Sequence, residues 1–357
     1  MGFDGESSNR KSHSSLRAQL DLLNGKWLAR MRAGRFAEAW RVSDEAQSLR
    51  AEIDCSAWPR HEQFIWRGES LAGRRVLVRC YHGLGDTIQF VRFVPRVRRL
   101  ARELTLWVQP TLIPLLTSID GVDRILPLDD DAPHVTYDVD VELAELMHVL
   151  RVIPEKLATE CPYLHVTAAE LPDTSALRVG LVWAAGDWDA RRSLPCELLA
   201  SLARIPGIEW HLLQRGPMLR EWPHGFGTAP QIDGIMDEAR ALRALDLLIT
   251  VDTCSAHLAG ALGVRVWTLL PYDADWRWMR DRSDTPWYPT MRLIRQRRAG
   301  EWHDVLHRVE RDLRAERADL SRQRAENGAG IQISGARRTP GTAARRCPPI
   351  AGLDHGT

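Results

Sequence analysis

The chain has 357 residues in which 48 Lys and Arg stand against 47 Asp and Glu, a formal net charge of +1 that excludes a nucleic-acid binder built on bulk positive charge. With 44% apolar and 27% charged residues the composition is globular and long enough for two or three domains, which excludes collagen, coiled-coil and wholly disordered chains. No run reaches the ~18 uninterrupted apolar residues of a membrane span, the start holds no apolar signal-peptide core, and the six cysteines (Cys55, Cys80, Cys161, Cys196, Cys254, Cys347) form no CxxC pair. The expectation is a cytoplasmic protein without a zinc site or a disulfide framework.

Residues 1–15 are polar and aperiodic, and read as a disordered start. Leu16, Leu20, Leu23, Trp27 and Met31 then recur at spacings of four and three, the mark of one helix face ending near Gly34. Phe36, Ala39, Trp40, Ser43 and Leu49 trace a second helix. The joint RAGRFAEAW resembles the centre of a tetratricopeptide unit, where Gly permits the turn and Ala lets two helices approach. One such unit cannot bury its own faces. Residues 16–58 are therefore expected as a helical hairpin packed on the main body, or as the remnant of a longer array.

From 59 to 172 short apolar strands alternate with helical stretches: RRVLVRC, the loop YHGLGD, a helix turning Ile88, Val91, Val94 and Val97 inward, then LTLWV (104–108) and DRILPL (123–128). The alternation restarts between 173 and 320 with RVGLVW (178–183), IEWHLLQ (208–214), LDLLITV (245–251) and VRVWTLL (264–270), and closes on a helix over 302–320. Two sets of strand–helix units predict two doubly wound α/β domains with a ligand cleft at the carboxyl ends of the strands. Residues 321–357 turn to Gly, Pro, Ala and Arg without periodicity, a disordered tail. Its six arginines against Glu326 and Asp354 leave a net of +4, suited to a solvated end without function in the first place, and otherwise to weak contact with anionic lipid or nucleic acid.

Three loops have residues suited to chemistry. GLGDTIQF places Gly83 and Gly85 after a strand and Asp86 at the mouth of a helix, where glycine lets a ligand approach and free N–H groups attract negative charge. A dinucleotide fingerprint would want a third glycine at Ile88, and Asp86 serves equally well as a helix cap. WAAGDWDARRSLP sets Gly186, Arg191 and Arg192 beyond another strand, either as a diphosphate contact or as a solvated loop. LDLLITVDTCSAHLAGALG puts Asp252 and Thr253 where a strand yields to a helix and His257 one turn on. That is a seat for a diphosphate or sugar hydroxyls, or a cap pair followed by a core histidine.

Two further clusters read as structural. Asp129-Asp130-Asp131 and Asp138-Val139-Asp140 have the look of a divalent-cation holder, but the Pro-flanked triple aspartate reads as a solvated turn and no metal is expected. DADWRWMRDRSDTPWYP sets Trp276, Trp278, Trp287 and Tyr288 among Arg277, Arg280 and Arg282, more in keeping with interdomain packing than with stacking on a sugar.

In chain order, GLGDTIQFVRFVP, GLVWAAGDWDARRSLP, HLLQRG, LDLLITVDTCSAHLAGALGVRVWTLLP and DWRWMRDRSDTPWYPTMRLIRQ together resemble glycosyltransferase family 9, and within it the bacterial, tetratricopeptide-linked, heptosyltransferase-like group, over roughly residues 60–315. The resemblance implies a GT-B fold of two Rossmann-like domains, acceptor side at 59–172 and nucleotide-sugar side at 173–320, with an N-terminal helical hairpin. It implies inverting, metal-independent transfer of a sugar, heptose by family default, from a nucleotide-diphospho sugar such as ADP-heptose to a glycan, lipid-saccharide or protein acceptor, as in lipopolysaccharide biosynthesis. Position by position, the resemblance makes Asp86 the general base and Gly85, Gly186, Arg192, Gln214, Asp252, Thr253 and His257 the residues that bind the nucleotide sugar. No cofactor and no specific nucleic acid are implied, and the location is the cytoplasm or the inner face of the membrane. Tyr81-His82 stand where the group has Glu-Gln, Cys254-Ser255 where it has Ala-Val, and DVDVELAELMHVL departs from its Leu-Ser-Leu-Pro pattern. These departures leave room for an alternative, a catalytically inactive nucleotide-sugar-binding or scaffold protein whose hairpin docks a protein partner.

Overall fold

The computed structural model describes residues 4–50, 53–55, 63, 65–129, 133–186, 189–223 and 225–334. Asp130 and Asp131, Cys347 and the rest of the tail beyond Ser334 lie outside these. The chain divides into two compact units, residues 1–312 and 313–357. In the second, the described residues are helical to Ser334, which takes in the first fourteen residues of the stretch expected to be disordered. Its Ala, Glu, Arg and Gln are strong helix formers, and no proline interrupts before Pro340.

The first unit opens with α1 (Asp4–Arg32) and α2 (Phe36–Arg50), joined at Gly34, whose φ of +71° only glycine takes without strain. α1 begins at Asp4 rather than near Leu16, because no proline lies in this stretch and a helix once nucleated propagates cheaply. The pair is packed on the rest of the chain. Trp40 buries its ring and donates Nε1–H to the Val152 carbonyl at 2.7 Å, and Asp44 meets His148 Nε2 and Arg151 Nη2, each at 2.7 Å. On its other flank Trp27 stands edge-on to Trp276 at 5.1 Å, Phe36 lies 5.9 Å from Trp287, and Arg280 N–H donates to the Arg32 carbonyl. The helix pair thus bridges two regions distant in sequence.

Two wholly parallel sheets follow. The first contains β1 (Arg75–Arg79), α3 (Leu84–Phe90), α4 (Val94–Arg98), β2 (Glu103–Val108), α5 (Ile113–Leu116), β3 (Arg124–Pro127), β4 (Val139–Glu142) and α6 (Leu146–Val149), in strand order β3-β2-β1-β4. The predicted helix with Ile88, Val91, Val94 and Val97 is buried as expected, but a short 3₁₀ turn splits it ahead of Pro95, which has no N–H to continue an α-helix. The second contains β5 (Leu177–Val182), β6 (Ile208–Leu212), α7 (Pro217–Arg220), α8 (Ile235–Arg243), β7 (Leu247–Val251), α9 (Cys254–Ala261), β8 (Val266–Leu270), β9 (Met291–Arg295) and α10 (Trp302–Ser334), in strand order β6-β5-β7-β8-β9. β7 and β8 are buried at every position, which explains their unbroken apolar runs.

β4 and β9 were not anticipated. In β4, Val139 and Val141 point inward while Asp140 faces Arg79 and the preceding Asp138 faces Arg75, so the Asp-x-Asp is neutralised by arginines of β1. Among the described residues no group of three His, Cys, Asp or Glu is placed to hold a metal ion, and no helix is long and apolar enough to cross a membrane. In each sheet the chain reverses its winding direction once, between β1 and β4 and between β5 and β7. A crevice opens at the carboxyl edge of such a switch point, which is where open α/β sheets bind ligands.

Candidate functional site

The loop leaving β1 enters α3 through Gly83, and the Asp86 carboxylate bends back so that Oδ2 accepts the Gly83 N–H at 2.9 Å. That cap uses one oxygen. The other, Oδ1, meets the guanidinium of Arg277 from the loop after β8. Arg277 also donates from Nε to Gln89 Oε1 and from Nη1 to Asp275 Oδ1, both at 2.8 Å. Its guanidinium lies 4.8 Å from the Trp276 ring and 5.5 Å from Phe90, and its carbonyl accepts the Trp287 indole N–H at 2.8 Å. An arginine of the second sheet unit thus grips an acid of the first.

The loops after β5 and β7 meet beside this pair. Arg192 donates from Nη1 to the Asp252 carbonyl at 3.0 Å, while Arg191 forks onto Asp189 and stays in solvent. Asp252 is buried, and burial pushes its carboxyl up to about 6; the charge of Asp275 adds to this, and Trp278, Arg192 and Arg277 oppose it. Thr253 takes the N-cap position of α9 without capping it, its hydroxyl turning back to Thr250 Oγ1 at 3.0 Å and the Val251 carbonyl at 3.3 Å. The first turn of α9 has no side-chain cap, and the positive end of a helix dipole attracts an anion there.

Three of the residues expected to face a ligand do something else. Gly85 makes room for α9: a Cβ on it would stand 2.9 Å from His257 Cδ2 and 3.4 Å from the Cys254 Cα. His257 is an interior histidine, stacked 5.3 Å from Trp278 and sharing a 3.0 Å hydrogen bond between Nδ1 and Tyr288 Oη. Burial, with the charges of Arg277, Arg92 and Arg192, holds its imidazole well below the usual range, so it is neutral. Gln214 is a strut whose side-chain oxygen accepts the N–H groups of Trp183 at 3.0 Å and Ala184 at 2.9 Å. Gly186 is exposed with nothing within 4 Å of a Cβ position, and its neighbours 187–188 are outside the described residues. Asp86, Arg192, Asp252 and Thr253 are the expected polar residues that stand just beyond the carboxyl ends of β1, β5 and β7.

Sequence reasoning missed the role of Arg277, placed with its aromatic neighbours as packing, and of Glu142. Glu142 ends β4 at the first switch point, where Oε1 accepts the Tyr81 N–H at 3.3 Å and lies 3.8 Å from His82 Nε2. Burial pushes its carboxyl up to about 8, with Glu145 adding and the Tyr81 N–H and Arg79 opposing, and burial pushes Glu145 up to about 7. An acidic residue ending a strand that sits beside β1 was the available signal.

These raised values have a definite sign. Folded chains keep the Glu142 proton where unfolded chains have lost it, so its stabilising contribution is full below the ordinary value of 4.5 and is lost as pH rises through about 8. Glu142→Gln keeps the acceptor for Tyr81 and cannot ionise. We expect its stability relative to the native chain to increase between about pH 5 and about pH 8, by on the order of 1 kcal/mol per unit at most. Urea unfolding of both chains at several pH values reads this directly, and a difference independent of pH would rule out a buried, protonated Glu142.

No protein-family model matches the chain. Protein FlbA of Caulobacter vibrioides is 25% identical over 330 aligned positions, 79% of this chain and 53% of that protein, so the chain spans about half the length of the curated relative it matches. Among solved structures, a glycosyl transferase family 9 protein from Veillonella parvula aligns at 15% identity over 64% of this chain and 87% of its own, with a TM-score of 0.45. The E. coli heptosyltransferase WaaC with ADP aligns at 13% identity over 68% and 99%, with a TM-score of 0.44. The iron-containing dodecameric glycosyltransferase TibC of enterotoxigenic E. coli aligns at 13% identity over 67% of each chain, with a TM-score of 0.45.

Proposed function

We propose that the chain is a glycosyltransferase of the family 9, heptosyltransferase-like kind, with a GT-B arrangement of its two sheets, moving a sugar from a nucleoside-diphospho sugar to an acceptor hydroxyl with inversion and without a metal. The observation that supports this best is the meeting of two switch points. Asp86 stands at one, and Arg192, buried Asp252 and the uncapped first turn of α9 stand at the other. The chemistry divides between them. An acceptor oxygen attacks the anomeric carbon from the face opposite the diphosphate, the bond from that carbon to the leaving oxygen breaks, and Asp86 takes the acceptor proton. Negative charge grows on the departing diphosphate, where the Arg192 guanidinium and the α9 dipole meet it.

Resemblance makes ADP-heptose the first donor to try, with a glycan, lipid-saccharide or protein as acceptor. Calorimetry against ADP-, GDP-, UDP- and dTDP-sugars is expected to find one that binds, and Arg192→Ala to weaken it by about tenfold or more, as expected of a charge-assisted contact worth roughly 1.5–3 kcal/mol. Indifference of the chain to all four classes would remove the donor assignment. Tight binding with neither transfer nor sugar release would instead favour a catalytically silent binding protein.

A further inference from the structure

We infer that Arg277 is the positioning residue for the base of the transfer reaction. Reaching from the loop after β8 to α3, it fixes the Asp86 carboxylate and makes a held base conditional on contact between the two sheets. The inference rests on the reading of Asp86 as that base.

Three observations carry it. Arg277 takes the one Asp86 oxygen that the helix cap leaves over, so the two together hold the carboxylate at both ends. Its guanidinium is itself held on three sides, by Asp86 and Gln89 from α3 and by Asp275 from its own loop, a planar fork that a lysine cannot reproduce. The loop around it is also constrained in an uncommon backbone conformation. Met279 and Asp281 have φ of +50° and +54°, values that non-glycine residues avoid, and Arg295 Nη2 clamps the Trp278 and Met279 carbonyls at 3.1 and 2.6 Å. Trp27 and Phe36 of the N-terminal helix pair lie against Trp276 and Trp287, the rings that frame Arg277. A surface ion pair would need none of this scaffolding.

A base that swings between rotamers takes a proton only when aligned, and misplacement by about 1 Å costs up to about 10²-fold in rate. The probe is the tightest binder of the nucleotide-sugar panel, with water as acceptor and nucleoside diphosphate release as the readout, on the full chain. Arg277→Gln is expected to lower kcat about 10- to 100-fold with donor KM within about threefold, and Arg277→Lys to recover part of the loss. A residue acting only through Asp86 adds nothing once that carboxylate is gone. The double variant Asp86→Asn/Arg277→Gln should therefore be no slower than Asp86→Asn by more than about threefold. Losses that multiply in the double variant overturn the proposal, as does a donor KM raised about tenfold at unchanged kcat, which would make Arg277 a diphosphate contact. Should Arg277→Gln fail to fold, Gln89→Met decides. It removes the Nε partner and leaves every charge in place, and an unaltered kcat there also overturns the proposal. Full activity of Asp86→Asn, or a native chain that binds the sugar and neither releases nucleotide to water nor transfers to a glycan acceptor, fails the underlying reading instead.

Discussion

Asp86→Asn is expected to lower sugar transfer by about 10²-fold or more while leaving nucleotide affinity within a few-fold, the scale of a lost general base. The amide keeps the size of the side chain and one oxygen that can accept the Gly83 N–H, so the α3 cap at 2.9 Å survives. Lost are the negative charge opposite Arg277 and the lone pair that accepts the acceptor proton. Affinity should hold because Arg192, Asp252 and the first turn of α9, the groups assigned to the donor, belong to the other sheet. Turnover measured alongside calorimetric affinity separates the two effects. A variant with native turnover would leave Asp86 as a cap and nothing more.

The second large effect is on folding. Trp40→Ala is expected to cost about 3–5 kcal/mol, the range for deleting a large buried aromatic, against a total stability of roughly 5–15 kcal/mol. Trp40 is fully enclosed, and its indole N–H satisfies the Val152 carbonyl at 2.7 Å across 112 positions of chain. Truncation leaves both a cavity and a carbonyl without its donor. Trp40→Phe keeps a six-membered ring in the site but loses the N–H and the rest of the bicycle, so its cost should be intermediate, about 1–3 kcal/mol. Denaturant unfolding of the two variants measures both figures. A loss below about 1 kcal/mol for the alanine variant would mean that the helix pair contributes little to the body. As the sequence leads one to expect, the helix pair packs on the main body, against His148, Val152, Trp276 and Trp287.

The neutral pairing of charge with which the chain presents itself also becomes specific. Arginines that look like compositional excess in the sequence turn out to hold particular groups: Arg79 neutralises Asp140 inside the first sheet, and Arg92 reaches across to the Trp287 carbonyl at 2.9 Å, stacked 4.3 Å from the Tyr163 ring. Neither contact can be read from spacing, because their partners lie 61 and 195 positions away.

The alternation of strands and helices, the two switch-point loops and the place of Asp86, Asp252 and Thr253 at helix entrances are legible in the order of residues alone. Those features are local: apolar runs, glycines at turns and polar residues at helix starts depend on neighbours within about one or two turns. β4 escaped because half of it is charged, with Asp140 inside it and Asp138 just before it each paired with an arginine of β1. Which polar residues are consumed by interior hydrogen bonds is set by the tertiary structure. Gln214 and His257 have the same chemistry in either role, and only the positions of the Trp183 and Ala184 amides and of Tyr288 consume their hydrogen bonds. It alone brought Arg277 to Asp86, 191 residues apart. A buried polar group must find a partner wherever the fold supplies one, and that partner is chosen by packing across the chain rather than by order along it.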